Sequence, residues 1–152
     1  TGEPVVHDGP DGLFSRPPAF EAGGGGLVST ADDFLAFATE LLDGGGKVLS
    51  RPSVELMTSD QLTPAQKASS GFRPGYFDDK GWGFGMSVVT RGSALRPAAG
   101  SYGWSGYYGT SWYNDPANDL TTIFVQQRAD GGDQRLPMWS GLWSAVYRTI
   151  DD

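Results

Sequence analysis

The chain has no cysteine and a single histidine among its 152 residues. Without cysteine there is no disulfide framework, no thiolate nucleophile and no thiolate metal site, and the compartment stays undetermined. One imidazole cannot build a histidine-based metal centre. His7, in a Gly- and Pro-rich surrounding, reads as a surface or loop residue. Cations are also scarce. Eleven Lys and Arg against 18 Asp and Glu leave a net charge of −7, which argues against nucleic acid as a partner because phosphate binding needs clustered basic residues. No apolar run approaches the ~20 residues that a membrane helix needs, so no membrane partner is expected. The opening Thr1-Gly-Glu-Pro resembles neither a signal peptide nor a natural start. Two nucleophile signatures are missing: there is no Gly-x-Ser-x-Gly and no Ser-x-x-Lys.

What the chain has instead is glycine and aromatic rings: 23 Gly and 10 Pro, with five Trp, six Tyr and eight Phe. At 38% hydrophobic residues the core is modest, and large rings must supply much of the burial. The stretch 100–127 organises the rest. Its first arm, 102–113, alternates in period two. Trp104, Gly106, Tyr108, Thr110 and Trp112 share one face, and Ser105, Tyr107, Gly109, Ser111 and Tyr113 the other. Residues 114–119 are rich in Asn, Asp and Pro and predict a turn. The second arm, 120–128, is β-branched and apolar and predicts a well-buried strand. Gly103, Gly106 and Gly109 are costly in a strand and mark a place where a ligand or another backbone comes close.

Before this hairpin, Val5 to His7 predicts a short strand ahead of a turn at 8–12. Gly23-Gly-Gly-Gly26 is no phosphate loop, since no Lys-Ser/Thr follows and no apolar strand precedes it. Ser29 or Thr30 predicts a helix N-cap, with Asp32 and Asp33 in the first turn as capping rather than catalytic acids. Phe34, Phe37, Ala38 and Leu41 recur at helical spacing, and Gly44-Gly-Gly46 stops the helix. A shorter helix follows Ser50, and Thr63-Pro-Ala-Gln66 is a capping-box start. Residues 69–80 read as a loop. Residues 81–89, where large apolar residues alternate with Gly or Ser, read as one strand. After a turn at 129–133, Trp139, Leu142, Trp143, Val146, Tyr147 and Ile150 form an apolar helical stripe over 136–150. The prediction is one α+β domain over 1–152: loops and helices over 1–80, three antiparallel strands over 81–128, and a covering C-terminal helix. Asp115, Asp119, Asp130 and Asp133 lack the spacing of a calcium loop and suit turn chemistry, so neither metal nor cofactor is expected.

Four segments, in order, resemble the serine β-lactamase-related hydrolases, which include class C β-lactamases, family VIII carboxylesterases and penicillin-binding-protein-like enzymes. They are Gly23 to Gly45; Val48-Leu-Ser-Arg-Pro-Ser-Val-Glu-Leu-Met57 with Asp60-Gln-Leu-Thr63; Gly81-Trp-Gly-Phe-Gly-Met86; and Gly103-Trp-Ser-Gly-Tyr-Tyr-Gly-Thr-Ser-Trp-Tyr-Asn-Asp-Pro116. The resemblance implies an antiparallel sheet between helices, with an all-helical region beside it. It implies that the Ser-x-x-Lys helix and the catalytic Tyr box lie N-terminal to this stretch, so that the chain looks like the C-terminal portion of such an enzyme. The family's third box, Lys-Thr-Gly or Trp-x-Gly, falls on Trp104-Ser105-Gly106, which are then substrate-binding. Tyr107, next in line, would lend its backbone N–H to the oxyanion hole. Trp104 in place of a cation favours an esterase-like or peptidase-like substrate, a small ester or amide. The partner implied is an N-terminal part of the same enzyme, or a second copy, and the chain alone is expected to be inactive. Two other readings stand beside it: a non-catalytic β-lactamase-like binding or assembly module, which also rests on the resemblance, and an aromatic-lined carbohydrate or small-ligand binder, suggested by Trp82, Trp104, Tyr107, Tyr108 and Trp112 at strand spacing.

Overall fold

The computed structural model describes residue 3 and residues 5–92, 97–126 and 135–150, which group into two compact units, Thr1–Thr30 and Ala31–Asp152. In the first, the Asp8 carboxylate accepts from the backbone N–H of Leu13 at 2.7 Å and of Phe14 at 3.1 Å, fixing a single 3-10 turn at Leu13–Ser15. The strand predicted at Val5 to His7 does not form. Both valines are largely exposed.

The second unit holds four α-helices, one 3-10 turn at Tyr76–Asp78 and five strands among its described residues: α1 (Ala31–Leu42), α2 (Arg51–Thr58), α3 (Pro64–Ser69), β1 (Lys80–Trp82), β2 (Ser87–Val89), β3 (Tyr102–Ser105), β4 (Ser111–Asp115), β5 (Leu120–Phe124) and α4 (Arg135–Tyr147). The helices begin where their capping residues are. Ser50 accepts from the Ser53 N–H at 3.3 Å. Thr63 and Gln66 exchange both bonds of the capping box. The strands form one antiparallel sheet in the order β1-β2-β3-β4-β5. The α+β class expected from sequence holds, but the sheet has five strands where three were predicted.

Both extra strands come from glycine. The stretch 81–89 folds back on itself, so that Trp82 pairs with Ser87 and Lys80 with Val89. Gly83 sits in the bend, where a Cβ would lie 1.8 Å from the Met57 carbonyl oxygen, and its N–H reaches the Met86 carbonyl at 2.9 Å. The arm 102–113 also turns. The Gly106 N–H donates to the Thr110 carbonyl at 2.8 Å and the Gly109 N–H to the Gly106 carbonyl at 3.1 Å. Gly109 takes φ +79°, the left-handed residue that closes a three-residue hairpin loop. Alternating glycines therefore encoded reversals of direction rather than a bare strand face.

The turn predicted at 114–119 is shorter, because Asn114 and Asp115 remain in β4. Strand β5 ends at Phe124 and is half-buried throughout, not well buried, because among the described strands it pairs with β4 alone. The end of the second arm and the turn at 129–133, with Asp130 and Asp133, lie outside the described residues. The C-terminal helix forms over Arg135–Tyr147, and Ile150 falls beyond it.

The two faces of the sheet are covered by different helices. Alternation sends Trp112 to one side, against Phe34 of α1 at 5.4 Å between ring centroids, and Tyr113 to the other, against Trp143 of α4 at 5.4 Å. On the α1 side Ala38, Leu41, Val54, Met86, Val88, Tyr102 and Trp112 form one buried cluster. At its centre Asn114, fully buried, accepts from Trp112 Nε1 at 3.0 Å and Thr121 Oγ1 at 2.8 Å. It donates to the Ala38 carbonyl at 2.7 Å and to the Tyr102 hydroxyl at 3.1 Å. Both donors and both acceptor positions of the amide are used. On the α4 side, Trp139, Trp143 and Tyr147 meet Phe124, Tyr113 and Asp115 in turn along the helix.

Candidate active site

Strand β3 delivers the four sequence-predicted site residues to one place. Trp104, Ser105, Gly106 and Tyr107 all border a cavity of about 600 Å³. That volume lies within the range of about 300–1,000 Å³ usual for small-molecule pockets. Trp104 is 39% exposed and stacks edge-to-face on Trp82, with centroids 4.6 Å apart. The Ser105 and Ser111 hydroxyls lie 2.9 Å apart across the β3–β4 pair, so Ser105 is held by its neighbour strand. Tyr107 starts the hairpin loop. The loop is closed by the amides of Gly106 and Gly109. Its ring is 61% exposed and meets Tyr108 edge-on at 5.2 Å.

The aromatic set behind the small-ligand reading divides. Trp112 is 8% exposed, a core residue, although it pairs directly with Trp104 in register. Trp82 supports Trp104 without bordering the cavity.

Much of the remaining wall comes from residues that sequence reasoning left as loop or covering helix. Phe72, Arg73 and Tyr76 reach in from the segment before β1, and Trp139 and Trp143 from α4. The signal available was the density of rings and an arginine in Phe72-Arg-Pro-Gly-Tyr-Phe77, too many apolar groups for a plain surface loop. Tyr76 donates to the buried Ser87 hydroxyl at 3.0 Å. Burial pushes the Tyr76 hydroxyl above the usual phenol range, although the Ser87 bond and the Arg73 charge act the other way. Burial, reinforced by Tyr76, pushes Tyr113 up to about 12. Both phenols are therefore neutral at pH 7 and act as hydrogen-bonding groups on the cavity wall.

Asp115, the last residue of β4, anchors the start of the β4–β5 turn through Ala117 and Asn118. Burial alone would raise its pKa. Hydrogen bonds from Tyr147, Asn118 and the backbone N–H groups of Ala98 and Ala117 outweigh that and hold it below the usual carboxylate range. It is a structural acid, as its turn position implied.

Comparison with known proteins gives this geometry a family. A family model described as Beta-lactamase matches residues 2–146. Protein Rv1367c of Mycobacterium tuberculosis is 43% identical over 120 residues, covering 73% of this chain and 30% of that protein. Esterase EstB of Burkholderia gladioli is 30% identical over 147 residues, covering 94% of this chain and 34% of the esterase. Among solved structures, EstCE1, a hydrolase with promiscuous acyltransferase activity, matches with TM-score 0.62 and 26% identity over 83% of this chain and 32% of its own. Unliganded simvastatin synthase LovD from Aspergillus terreus shares the fold at TM-score 0.61 and 20% identity, over 80% of this chain and 35% of its own. The chain thus spans about a third of the length of the curated relatives it matches. With nearly all of its residues inside one family match, this chain belongs to the β-lactamase family.

Proposed function

We propose that this chain forms the C-terminal part of a serine acyl hydrolase acting on small esters or amides, and that it contributes the third-box strand and one oxyanion donor. The observation that carries the reading is the convergence of Trp104, Ser105, Gly106 and Tyr107 on one cavity at the end of β3. An oxyanion donor must be fixed before charge develops, and an amide at the mouth of a hydrogen-bonded hairpin is fixed. The nucleophile comes from a Ser-x-x-Lys on an N-terminal polypeptide, because this sequence contains none. The outer edge of β5, where only β4 pairs among the described strands, is where such a polypeptide, or a second copy, adds its strand.

The test is turnover of chromogenic esters and a cephalosporin by the 152-residue chain, alone and after one-to-one mixing with an N-terminal polypeptide carrying Ser-x-x-Lys. The chain alone turns nothing over, and the complex hydrolyses esters. Turnover by the chain alone refutes the reading, as does a stable but inert complex. Within an active complex, Tyr107→Pro removes the N–H at a turn position that accepts proline and lowers kcat by about 10²–10³, whereas Tyr107→Ala leaves it within a few-fold.

A further inference from the structure

Strand β1 ends the sheet, and the connection between α2 and α3 is fastened to it. Both polar backbone groups of Trp82 are taken by that connection. Its N–H donates to Asp60 Oδ1 at 3.1 Å, and its carbonyl accepts from the Gln61 N–H at 2.9 Å. Asp60 is itself fixed on two further sides. Oδ1 also accepts from the Leu62 N–H at 3.1 Å, and Oδ2 pairs with Lys67 of α3, whose side chain, like that of Asp60, is mostly buried. Gly81 leaves room for the carboxylate, since a Cβ there would lie 2.1 Å from Asp60 Cγ. The outward groups of an edge strand can take many partners, water included; a charged acceptor held in place replaces them with one arrangement. The Trp82 ring then stands edge-on to Trp104 at 4.6 Å between centroids, closer than Phe72 at 6.5 Å. Trp104 is 39% exposed, so burial alone does not orient it and the rings against it must.

We infer that Asp60 is a positioning residue of the candidate site: it fixes the Trp82 backbone, and through the Trp82 ring it sets how Trp104 faces the cavity. What Trp104 binds there rests on the hydrolase reading above; the link from Asp60 to Trp104 does not. Lys67 favours the charged form of the carboxylate, and Gly81 keeps the space it occupies.

The test reads the Trp82–Trp104 pair directly. Two indoles in edge contact couple their excited states and give a paired positive and negative band in the circular dichroism of the 152-residue chain; the band that Trp104→Phe removes belongs to this pair. Under conditions where each variant is folded, Asp60→Ala loses most of that band. Asp60→Asn, whose amide oxygen still accepts from Trp82 and Leu62, keeps it although the ion pair is gone. Gly81→Ala displaces the carboxylate without removing it and loses the band too, which decides the matter even if Asp60→Ala misfolds. In the complete complex, Asp60→Ala raises KM about fivefold with kcat within about twofold, as lost substrate binding requires. In a Trp104→Ala background the same substitution changes KM no further, because the two residues act in series. An Asp60 that serves stability alone lowers the unfolding midpoint in each variant and leaves the pair band intact. That outcome overturns the inference, as does absence of the band in the unsubstituted chain or a KM effect that survives in the Trp104→Ala background. The two readings also fail separately. An inert complex whose chain shows the Asp60-dependent band sinks the hydrolase reading alone. A hydrolysing complex with KM indifferent to Asp60 sinks this inference alone.

Discussion

The two faces of one sheet are built differently. The α1 face is closed: aliphatic and aromatic groups interlock around an amide with every hydrogen-bonding position used. The α4 face is spanned by a line of rings, and beside them a cavity remains. Small and branched side chains fill space between elements; large planar ones bridge it and leave hollows. The difference separates roles within one fold: the filled face holds the strands in register, and the open face leaves a cavity bordered by β3 and its loop.

Substitutions that break this contrast should rank by face. Trp112→Ala, on the filled side, is expected to cost about 3–5 kcal/mol in denaturant unfolding, as large core truncations do. Trp143→Ala, half-buried on the open side, costs roughly half of that, because less area leaves water. Equal costs would mean that the two faces share the core after all. Next comes Asn114→Ala, which leaves the buried Trp112 indole N–H without its acceptor. At about 1–3 kcal/mol per unmatched buried group, it should exceed Asp115→Asn on the other face.

The pH dependence sharpens the comparison further. Asp115 has a lowered folded pKa, so its contribution is complete above the unfolded value of about 3.9 and is lost as pH falls through the folded value. The same holds for Asp60, where burial raises the pKa but the Lys67 bond and the Leu62 and Trp82 amides outweigh it. Tyr76, Tyr102, Tyr113 and Tyr147 are all raised, chiefly by burial. Their contribution is complete below about pH 10 and is lost as pH rises above it. Unfolding followed across pH should therefore show losses at both ends, and Tyr147→Phe should flatten both, because it removes the donor to Asp115 along with a buried phenol. The smallest effect expected is Thr63→Ala, which opens the capping box of α3 for about 0.5–2 kcal/mol, with the cavity unchanged in ligand titration.

Helix starts were legible because caps act locally: Ser50, Thr63 and the periodic Phe34 to Leu41 need only their own neighbours in sequence. That Trp104 to Tyr107 stand together, bordering one cavity, was legible through the ordered motifs. The strand count was not, since a glycine in a strand and a glycine in a reversal look alike until the Met57 carbonyl or the Gly109 backbone angle shows which is present. Nor was the division between Trp104 and Trp112, two tryptophans in register whose fates depend on α1 lying over one and Phe72 and Trp82 beside the other. The hold of Asp60 on Trp82 was invisible for the same reason. The two stand far apart in sequence, and only the packing of the α2–α3 connection against β1 brings them together. Where helices begin could be read from the chain alone, because capping and helical periodicity depend on contacts a few residues long. The tertiary structure alone decided which face is filled and which residues meet across the cavity. Those are long-range contacts between segments that no local pattern records.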